Sequence, residues 1–141
     1  MTIAQSQCTI FKKNCLSGLE NFAVGTPYVY KIALYTANAD LSYATLTYTS
    51  TGEVVGTGYT AGGQTLTVIP PQTSDYTAYL SFSSVTWSPA SFTCRGALIY
   101  NSTTNAAVAV LDFGADKTPT TSFTITFPTD NAANAVIRFS N

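Results

Sequence analysis

The chain has 141 residues, a length that suits one domain over 1–141, and only 9% of them are charged, with a formal net charge of −1 at pH 7. Its six Lys and Arg residues are scattered, and only Lys12 and Lys13 are adjacent. This pattern excludes nucleic acid as a partner, because phosphate binding needs clustered cations. No apolar run reaches the ~20 residues that cross a bilayer, so no membrane partner is expected either.

The predicted elements begin with residues 1–10, a polar segment that we interpret as an extended N-terminal arm. A short helix is predicted next, over 11–22, and Gly18 weakens it by about 1 kcal/mol relative to Ala. Four apolar side chains of this helix recur at the spacing of one helical face. They are Phe11, Cys15, Leu19 and Phe22. This face must be covered by its own domain or by a neighbour.

From residue 28 onward the apolar period changes to two, which is typical of antiparallel strands with one face on a core and the other wet or covered by a partner. The runs with this pattern are 28–36, 65–69, 78–82, 92–100, 107–113, 122–128 and 135–139. Shorter pieces near Val54 and Trp87 bring the total to about eight strands. Prolines such as Pro70 and Pro71 are expected to end strands or to flank them.

Residues 95–114 hold two apolar runs joined by Asn, Ser and Thr. This arrangement predicts a β-hairpin with a loop of about four residues. Threonine supplies 24 residues of the chain, and β-branched side chains favour strands. Many strands and one early helix predict an all-β fold, a jelly-roll-like antiparallel β-sandwich with one short N-terminal helix.

The stretch GTGYTAGG, residues 56–63, begins with the pattern G-x-G-x-x-A of dinucleotide-binding loops. Such a loop requires a helix immediately after it, whose N-terminus faces the phosphate. Here the sequence continues as QTLTVIP, an alternating strand pattern ended by proline. The glycines therefore indicate a tight connection between strands, and whether Tyr59 at its centre is buried or presented to a partner stays open.

Candidate chemistry is sparse, because the chain has no histidine and three scattered cysteines. Cys8, Cys15 and Cys94 match no metal spacing and are interpreted as buried thiols. Asp112 and Asp116 form the one close pair of acids, and a small hydrolase built on them is a hypothesis that we weigh against a solvated turn. No metal, no cofactor and no enzymatic activity are expected.

Sugar binding is a separate hypothesis, because β-sandwich lectins stack exposed aromatic rings on sugars. Tyr76, Tyr79 and Trp87 are the candidate rings, although most aromatic residues in small sandwiches lie in the core. The start of the chain lacks the basic and apolar segments of a secretory signal. We therefore expect a protein that is made and kept in a cytoplasm.

Four ordered blocks resemble a family of small virion proteins of tailed bacteriophages. They are KIALYT (31–36), GEVVGTGYTAGGQTLTV (52–68), RGALIYN (95–101) and AVAVLDFGADK (107–117). Some members of this family resemble jelly-roll cement or decoration proteins that bind the outside of an assembled capsid. The resemblance implies a non-enzymatic structural protein on the capsid exterior, assembled in the host cytoplasm.

The partners implied by this resemblance are the major capsid protein and further copies of the chain, as a dimer or a trimer. The alternative is a glycan-binding or host-attachment module of a phage tail or fibre. Candidate interface residues lie on the predicted helix, at the centre of the glycine-rich loop and on the short predicted strand near Trp87. They are Phe11, Lys12, Lys13, Tyr59 and Trp87.

Overall fold

A computed structural model describes residues 2–140 of the chain, which form antiparallel sheets and one short helix. The elements in chain order are β1 (Ser6–Gln7), α1 (Thr9–Leu16), β2 (Tyr30–Tyr35), β3 (Gln64–Thr65), β4 (Val68–Ser74), β5 (Thr77–Phe82), β6 (Val85–Trp87), β7 (Cys94–Asn101), β8 (Ala106–Lys117), β9 (Phe123–Ile125) and β10 (Ile137–Phe139). The predicted all-β fold with one N-terminal helix is confirmed. Strands distant in sequence lie side by side, as in Greek-key and jelly-roll folds.

The largest sheet has five strands in the order β1-β8-β7-β2-β3. Its central strands β2 and β7 are buried at every position but one each. Ala33 and Tyr35, on the face of β2 that was expected to be wet or covered by a partner, are fully enclosed. The Tyr35 hydroxyl donates a hydrogen bond to the carbonyl of Thr49, at 2.6 Å. The chain's own connection between β2 and β3 therefore covers this second face.

The β7–β8 hairpin matches its prediction closely. Its loop consists of residues 102–105, and Asn105 in the loop has a left-handed φ of +66°. The buried side chain of Asn101 accepts hydrogen bonds from the N–H groups of Thr103 and Thr104, at 3.0 and 3.3 Å. A local side-chain cap of this kind fixes the turn and thereby the register of the two longest strands.

The other sheets are a three-stranded sheet in the order β10-β5-β4 and the pair β6-β9. Strand β4 runs through Pro70 and Pro71, so the prediction that the prolines end this strand is wrong. The reason is that β4 lies at a sheet edge, where its outer N–H groups need no partner, and a bulge falls between Ile69 and Gln72. Apolar side chains of the five-stranded and three-stranded sheets share one buried cluster.

The predicted N-terminal arm packs on its own domain instead of extending. Ile3 is buried, and the N–H of Ala4 donates to the carbonyl of Leu41 at 2.9 Å. Ser6 and Gln7 then pair with β8 as strand β1. An edge strand with free backbone groups is stabilised by such pairing, which explains why the segment docks. Met1, the first residue of the predicted arm, lies outside the described residues.

The helix spans Thr9–Leu16 rather than 11–22. It ends because Gly18 takes a left-handed φ of +71°, which directs the N–H groups of Gly18 and Leu19 back to carbonyl oxygens of the last helical turn. Leu19 donates to the carbonyl of Asn14 at 2.8 Å, and Gly18 donates to that of Cys15 at 3.3 Å. These two bonds are the Schellman pattern of helix ends. The predicted apolar stripe therefore does not lie on one helix, because Phe22 packs against the core from the loop after α1.

Candidate functional site

Tyr59, at the centre of the glycine-rich loop, directs its hydroxyl group into the protein. That hydroxyl donates to Oε1 of Glu53 at 2.6 Å and accepts the N–H of Leu34 at 2.9 Å. Its ring lies against Trp87 and Phe92, with centroids 6.4 and 5.9 Å away. The loop thus closes over the end of β2 with Tyr59 as a plug, which answers the question that the sequence left open.

Glu53 is the buried acid around which this loop is organised. Its Oε2 accepts the Tyr48 hydroxyl at 2.6 Å, and its Oε1 also accepts the N–H of Gly62 at 2.7 Å. Burial, with the hydrogen bond and charge of Glu53, holds the pKa of the Tyr48 and Tyr59 hydroxyls well above the usual range. Both tyrosines remain protonated donors, so the cluster works as a structural clamp.

Gly63 explains part of the glycine content of the loop. It has a φ of +77°, and a Cβ at this position would collide with the carbonyl oxygen of Ile32. Only glycine allows this close approach of two backbones. The glycines therefore serve chain packing, as the sequence predicted from the absence of a following helix.

The aromatic residues suggested for sugar binding do not share an exposed platform. Trp87 is only 1% exposed, and its ring packs in the core, so it also offers no contact to a partner at an open surface. Tyr76 is 69% exposed, whereas Tyr79 is partly buried on β5. The hypothesis that Trp87 stacks on a sugar or contacts a partner is wrong. Strand β6 places the indole ring of Trp87 in the core, between β9 and the loop that carries Tyr59.

Of the two acids in the hydrolase hypothesis, Asp112 holds a turn. Asp112 pairs with Arg95, with 3.3 Å between Oδ1 and Nε, and accepts the N–H of Gly114 at 2.8 Å. The Gly114 N–H, followed by Arg95, lowers the pKa of Asp112 below its usual value. Asp116 is exposed on the end of β8. Within residues 2–140, no group of three His, Cys, Asp or Glu side chains is placed to hold a metal ion.

A groove of about 200 Å³ lies between α1, the loop that follows it and the three-stranded sheet. Most of the side chains in this groove are apolar. The lining side chains include Phe11, Cys15, Glu20, Phe22, Ile137 and Phe139. Phe11 was predicted as a contact residue, but it is fully buried and belongs to the wall beneath this groove rather than to an exposed surface. Lys12 and Lys13 are exposed on the same helix.

Glu20 is the polar residue of this groove. Its Oε1 accepts the side-chain amide of Asn101 at 2.8 Å and lies 3.5 Å from the Tyr30 hydroxyl. Burial raises the pKa of Glu20, and the bonds from Asn101 and Tyr30 oppose that rise. Burial, and to a lesser degree Glu20, raises the pKa of the Cys15 thiol to about 11, so this thiol is a neutral neighbour at physiological pH.

Large apolar side chains are exposed on the elements that form this groove or in the loop that follows α1. Leu16, at the end of α1, is 91% exposed, and Phe139, on the wall of the groove, is 48% exposed. Leu19 and Val24, in the loop after the helix, are exposed as well. We call the groove and these four residues the helix face. Sequence reasoning proposed the helix as a contact element but did not single out Glu20 or Phe139, because only the fold brings the C-terminal strand β10 to the groove beside α1.

A second, wider cleft of about 420 Å³ lies between β8 and the C-terminal part of the chain. Its walls combine two aromatic rings with charged and amide side chains. These are Gln5, Asp112, Phe113, Phe127, Asn134 and Arg138. Arg138 donates one bond to the carbonyl of Ala133, at 2.7 Å, and keeps further N–H groups. Rings beside planar polar groups are suited to binding a polar, hydroxylated ligand.

Comparison of the chain with protein-family models, with curated proteins and with solved structures finds no match. Among residues 2–140, no helix combines the length and the apolar character needed to cross a membrane. A function is therefore proposed from the geometry of the helix face and of the wide cleft.

Proposed function

We propose that the protein is a non-enzymatic virion structural protein that binds the outer surface of a phage capsid and cements or decorates the shell. The observation that carries the proposal is the helix face, which combines an apolar groove with the almost fully exposed side chain of Leu16, the residue that follows the groove residue Cys15 in sequence. Exposed apolar patches mark sites of interaction with another protein. The four sequence blocks that resemble phage virion proteins supply the kind of partner, the major capsid protein.

The charge of the protein favours such docking. A net charge of −1 on 141 residues leaves little electrostatic repulsion between the protein and a shell, or between its own copies. The helix face is also held rigidly, because α1 ends in a defined cap and Phe22 stacks on Tyr30 with centroids 4.2 Å apart. Rigid contact residues lose little conformational entropy on binding. Symmetric self-association as a dimer or trimer would repeat the contact and add avidity.

The polar clusters of the fold support a structural role. Glu53 uses both carboxylate oxygens to hold Tyr48, Tyr59 and the backbone of Gly62. Asp112 holds Arg95 and the turn at Gly114. In both places, the acid is engaged by the chain's own groups and stabilises a loop, which supports a structural role for it.

Co-sedimentation with shells tests the proposal. Purified protein is mixed with undecorated capsids of the phage that encodes it, and the pellets are compared with pellets from protein alone. We expect saturable binding at a fixed number of copies per shell, because each equivalent capsid position offers one site. Absence of the protein from the capsid pellet, at concentrations well above those found during infection, would overturn the proposal.

A glycan-binding module is the second candidate function, and the wide cleft is the observation that favours it. The ligand would pack on Phe113 and Phe127 and form hydrogen bonds with Asn134 and Arg138. Binding on a glycan array is expected to be lost in Asn134→Ala and kept in Tyr76→Phe, whose ring lies on the β4–β5 turn. An array without signal, or a signal indifferent to Asn134→Ala, would reject this candidate.

A further inference from the structure

Arg138 is the cation of the wide cleft, and no acid among residues 2–140 forms an ion pair with it. The ion pair found in that part of the chain joins Arg95 to Asp112. Arg138 is exposed on β10, where its Nη1 donates to the carbonyl of Ala133 at 2.7 Å. Its Nε and Nη2 have no hydrogen-bond partner among the described residues, so one complete side of the guanidinium fork is open to a ligand.

The charge balance of the cleft favours a ligand with one negative charge. Asp112 also lines the cleft, but its Oδ1 lies 3.3 Å from Nε of Arg95 and accepts the N–H of Gly114 at 2.8 Å. The charge of Arg138 is therefore the one that a ligand can neutralise. A carboxylate carries a single charge and matches the planar fork of arginine. A phosphate monoester carries about −1.5 to −2 and would face stronger repulsion from Asp112.

Two aromatic rings define the group to which the carboxylate is attached. Phe113 packs edge-to-face on Phe123 with centroids 5.7 Å apart, and Phe127 packs on Phe82 with centroids 5.6 Å apart. Phe113 and Phe127 line the cleft and are both partly exposed, so a ligand can reach them. Because a second ring holds each of them in place, binding orders them at little cost in entropy. Such rings suit the apolar face of a pyranose.

Hydrogen-bonding groups for hydroxyls line the same cleft. The side chains of Thr126 and Asn134 are exposed and form no hydrogen bond within the described chain. Hydroxyl and amide groups both donate and accept, as sugar hydroxyls do. The volume of the cleft, about 420 Å³, lies within the range of about 300–1,000 Å³ that is typical of small-molecule sites.

The cleft and the groove of the helix face lie on opposite sides of β10. Ile137 and Phe139 line the groove, and Arg138 between them lines the cleft. Successive side chains of a strand point to opposite faces of the sheet, which explains this division. A ligand in the cleft consequently leaves the helix face free for a partner.

We propose that the wide cleft binds a carboxylated sugar, with the carboxylate on Nε and Nη2 of Arg138, the pyranose against Phe113 and Phe127, and hydroxyl groups on Thr126 and Asn134. The inference rests on the glycan-binding candidate for the saccharide and adds the preference for an acidic one. It is independent of the capsid proposal, because the cleft uses none of the four exposed residues of the helix face.

NMR titrations of the full chain with matched sugars test the ligand class. The methyl glycosides of glucuronic and galacturonic acid carry both the carboxylate and the pyranose, the corresponding glucoside and galactoside lack the carboxylate, and acetate lacks the pyranose. We expect the amide signals of Phe113, Phe127 and Arg138 to shift with a uronide, with an affinity about tenfold or more above that of its neutral counterpart and of acetate. Equal affinity for the neutral sugar or for acetate, or no response to either uronide at any soluble concentration, would overturn the inference.

Two variants test the assignment of the carboxylate to Arg138. Arg138→Gln removes the charge and the fork from an exposed side chain, so we expect a folded protein that binds uronides about tenfold more weakly, with its weaker binding of neutral sugars unchanged. A residue that only shaped the cleft would change the binding of both classes. Lys12→Gln removes a positive charge from α1, outside the cleft, and should bind uronides like the parent. Equal losses in the two variants, or unchanged uronide binding by Arg138→Gln, would contradict the inference.

The outcomes separate this inference from the functions proposed above. If acidic and neutral sugars bind equally well and Asn134→Ala abolishes both, the glycan-binding candidate stands and the preference for a carboxylate fails. If uronides bind at Arg138 but the protein does not co-sediment with shells, the capsid proposal fails and the cleft assignment stands. A saturating uronide should leave co-sedimentation unchanged, and release from the shells would contradict the separation of the cleft from the helix face.

Discussion

Individual side chains hold the glycine-rich loop in place, and a substitution of Tyr59 tests their contribution to stability most directly. Replacing it with Phe removes one donor to Glu53 and one acceptor for the N–H of Leu34, both in a buried setting. We expect Tyr59→Phe to lower the free energy of unfolding by about 1–3 kcal/mol. Denaturant unfolding measures this, with Tyr76→Phe as an exposed control that should change stability little. Equal stability of the two variants would contradict the clamp.

Buried thiols predict how stability depends on alkaline pH. Burial raises the pKa of Cys8 to about 11 and of Cys94 to about 12, from an ordinary value of 9.0. Above pH 9, the unfolded chain releases these protons while the folded chain keeps them, so the unfolded state gains stability. The free energy of unfolding should therefore decline from about pH 9 toward about pH 12. Buried tyrosines extend the decline above about pH 10, because their pKa values are raised as well.

Urea unfolding at successive pH values checks this prediction. A Cys8→Ala variant, measured beside the parent, should show a shallower decline between about pH 9 and pH 11, because one of the shifted groups is gone. The account is contradicted if the parent keeps a constant free energy of unfolding from about pH 8 to pH 11.

Sequence patterns predicted the local conformation of the glycine-rich loop better than they predicted which side chains are buried. The flanks of GTGYTAGG correctly indicated a turn instead of a nucleotide loop, because strand alternation after Gly63 is a local property. Whether Trp87 faces a partner or the core is not local, because its environment is built by β9 and by the loop of Tyr59. Glu20 was equally invisible, since Asn101, far away in sequence, is what engages it.

Among the elements, the N-terminal segment changes most between expectation and structure. Its docking on β8 and on Leu41 predicts that Ile3 contributes to stability. We expect Ile3→Ala to cost about 2 kcal/mol or more, the lower end for a buried large-to-small change. Thermal unfolding can measure this against Thr2→Ala, whose side chain is exposed. If Ile3→Ala unfolds like Thr2→Ala, the segment behaves as a free arm.

Elements set by local signals were predicted well, and those set by neighbours were not. The four-residue loop of the β7–β8 hairpin follows from its turn residues, whereas the passage of β4 through Pro70 and Pro71 depends on its place at a sheet edge. The helix was placed two residues late and extended too far, because Phe22 continues the apolar spacing after Gly18 has ended the helix. Spacing alone cannot distinguish a loop residue that packs in the core from a residue on the apolar face of a helix.

At the scale of the whole molecule, the proposal assigns different roles to two regions that the sequence put forward as contacts. In the proposed function, the loop of Tyr59 closes the fold around Trp87, and the helix face is the surface that would bind the partner. The most exposed apolar side chain of each region is Leu16, at 91% in the helix face, and Val55, at 94% beside the loop. This pair allows a matched comparison, because both side chains are aliphatic and neither contributes to the core.

The measurement that tests the central claim is the affinity for undecorated capsids of Leu16→Gln and Val55→Gln, compared with the parent by quantitative co-sedimentation. Burial of a leucine side chain at an interface is worth about 1.5–3 kcal/mol. We therefore expect Leu16→Gln to bind shells about tenfold or more weakly, and Val55→Gln to bind like the parent. Unchanged binding by Leu16→Gln, or a loss confined to Val55→Gln, would contradict the account.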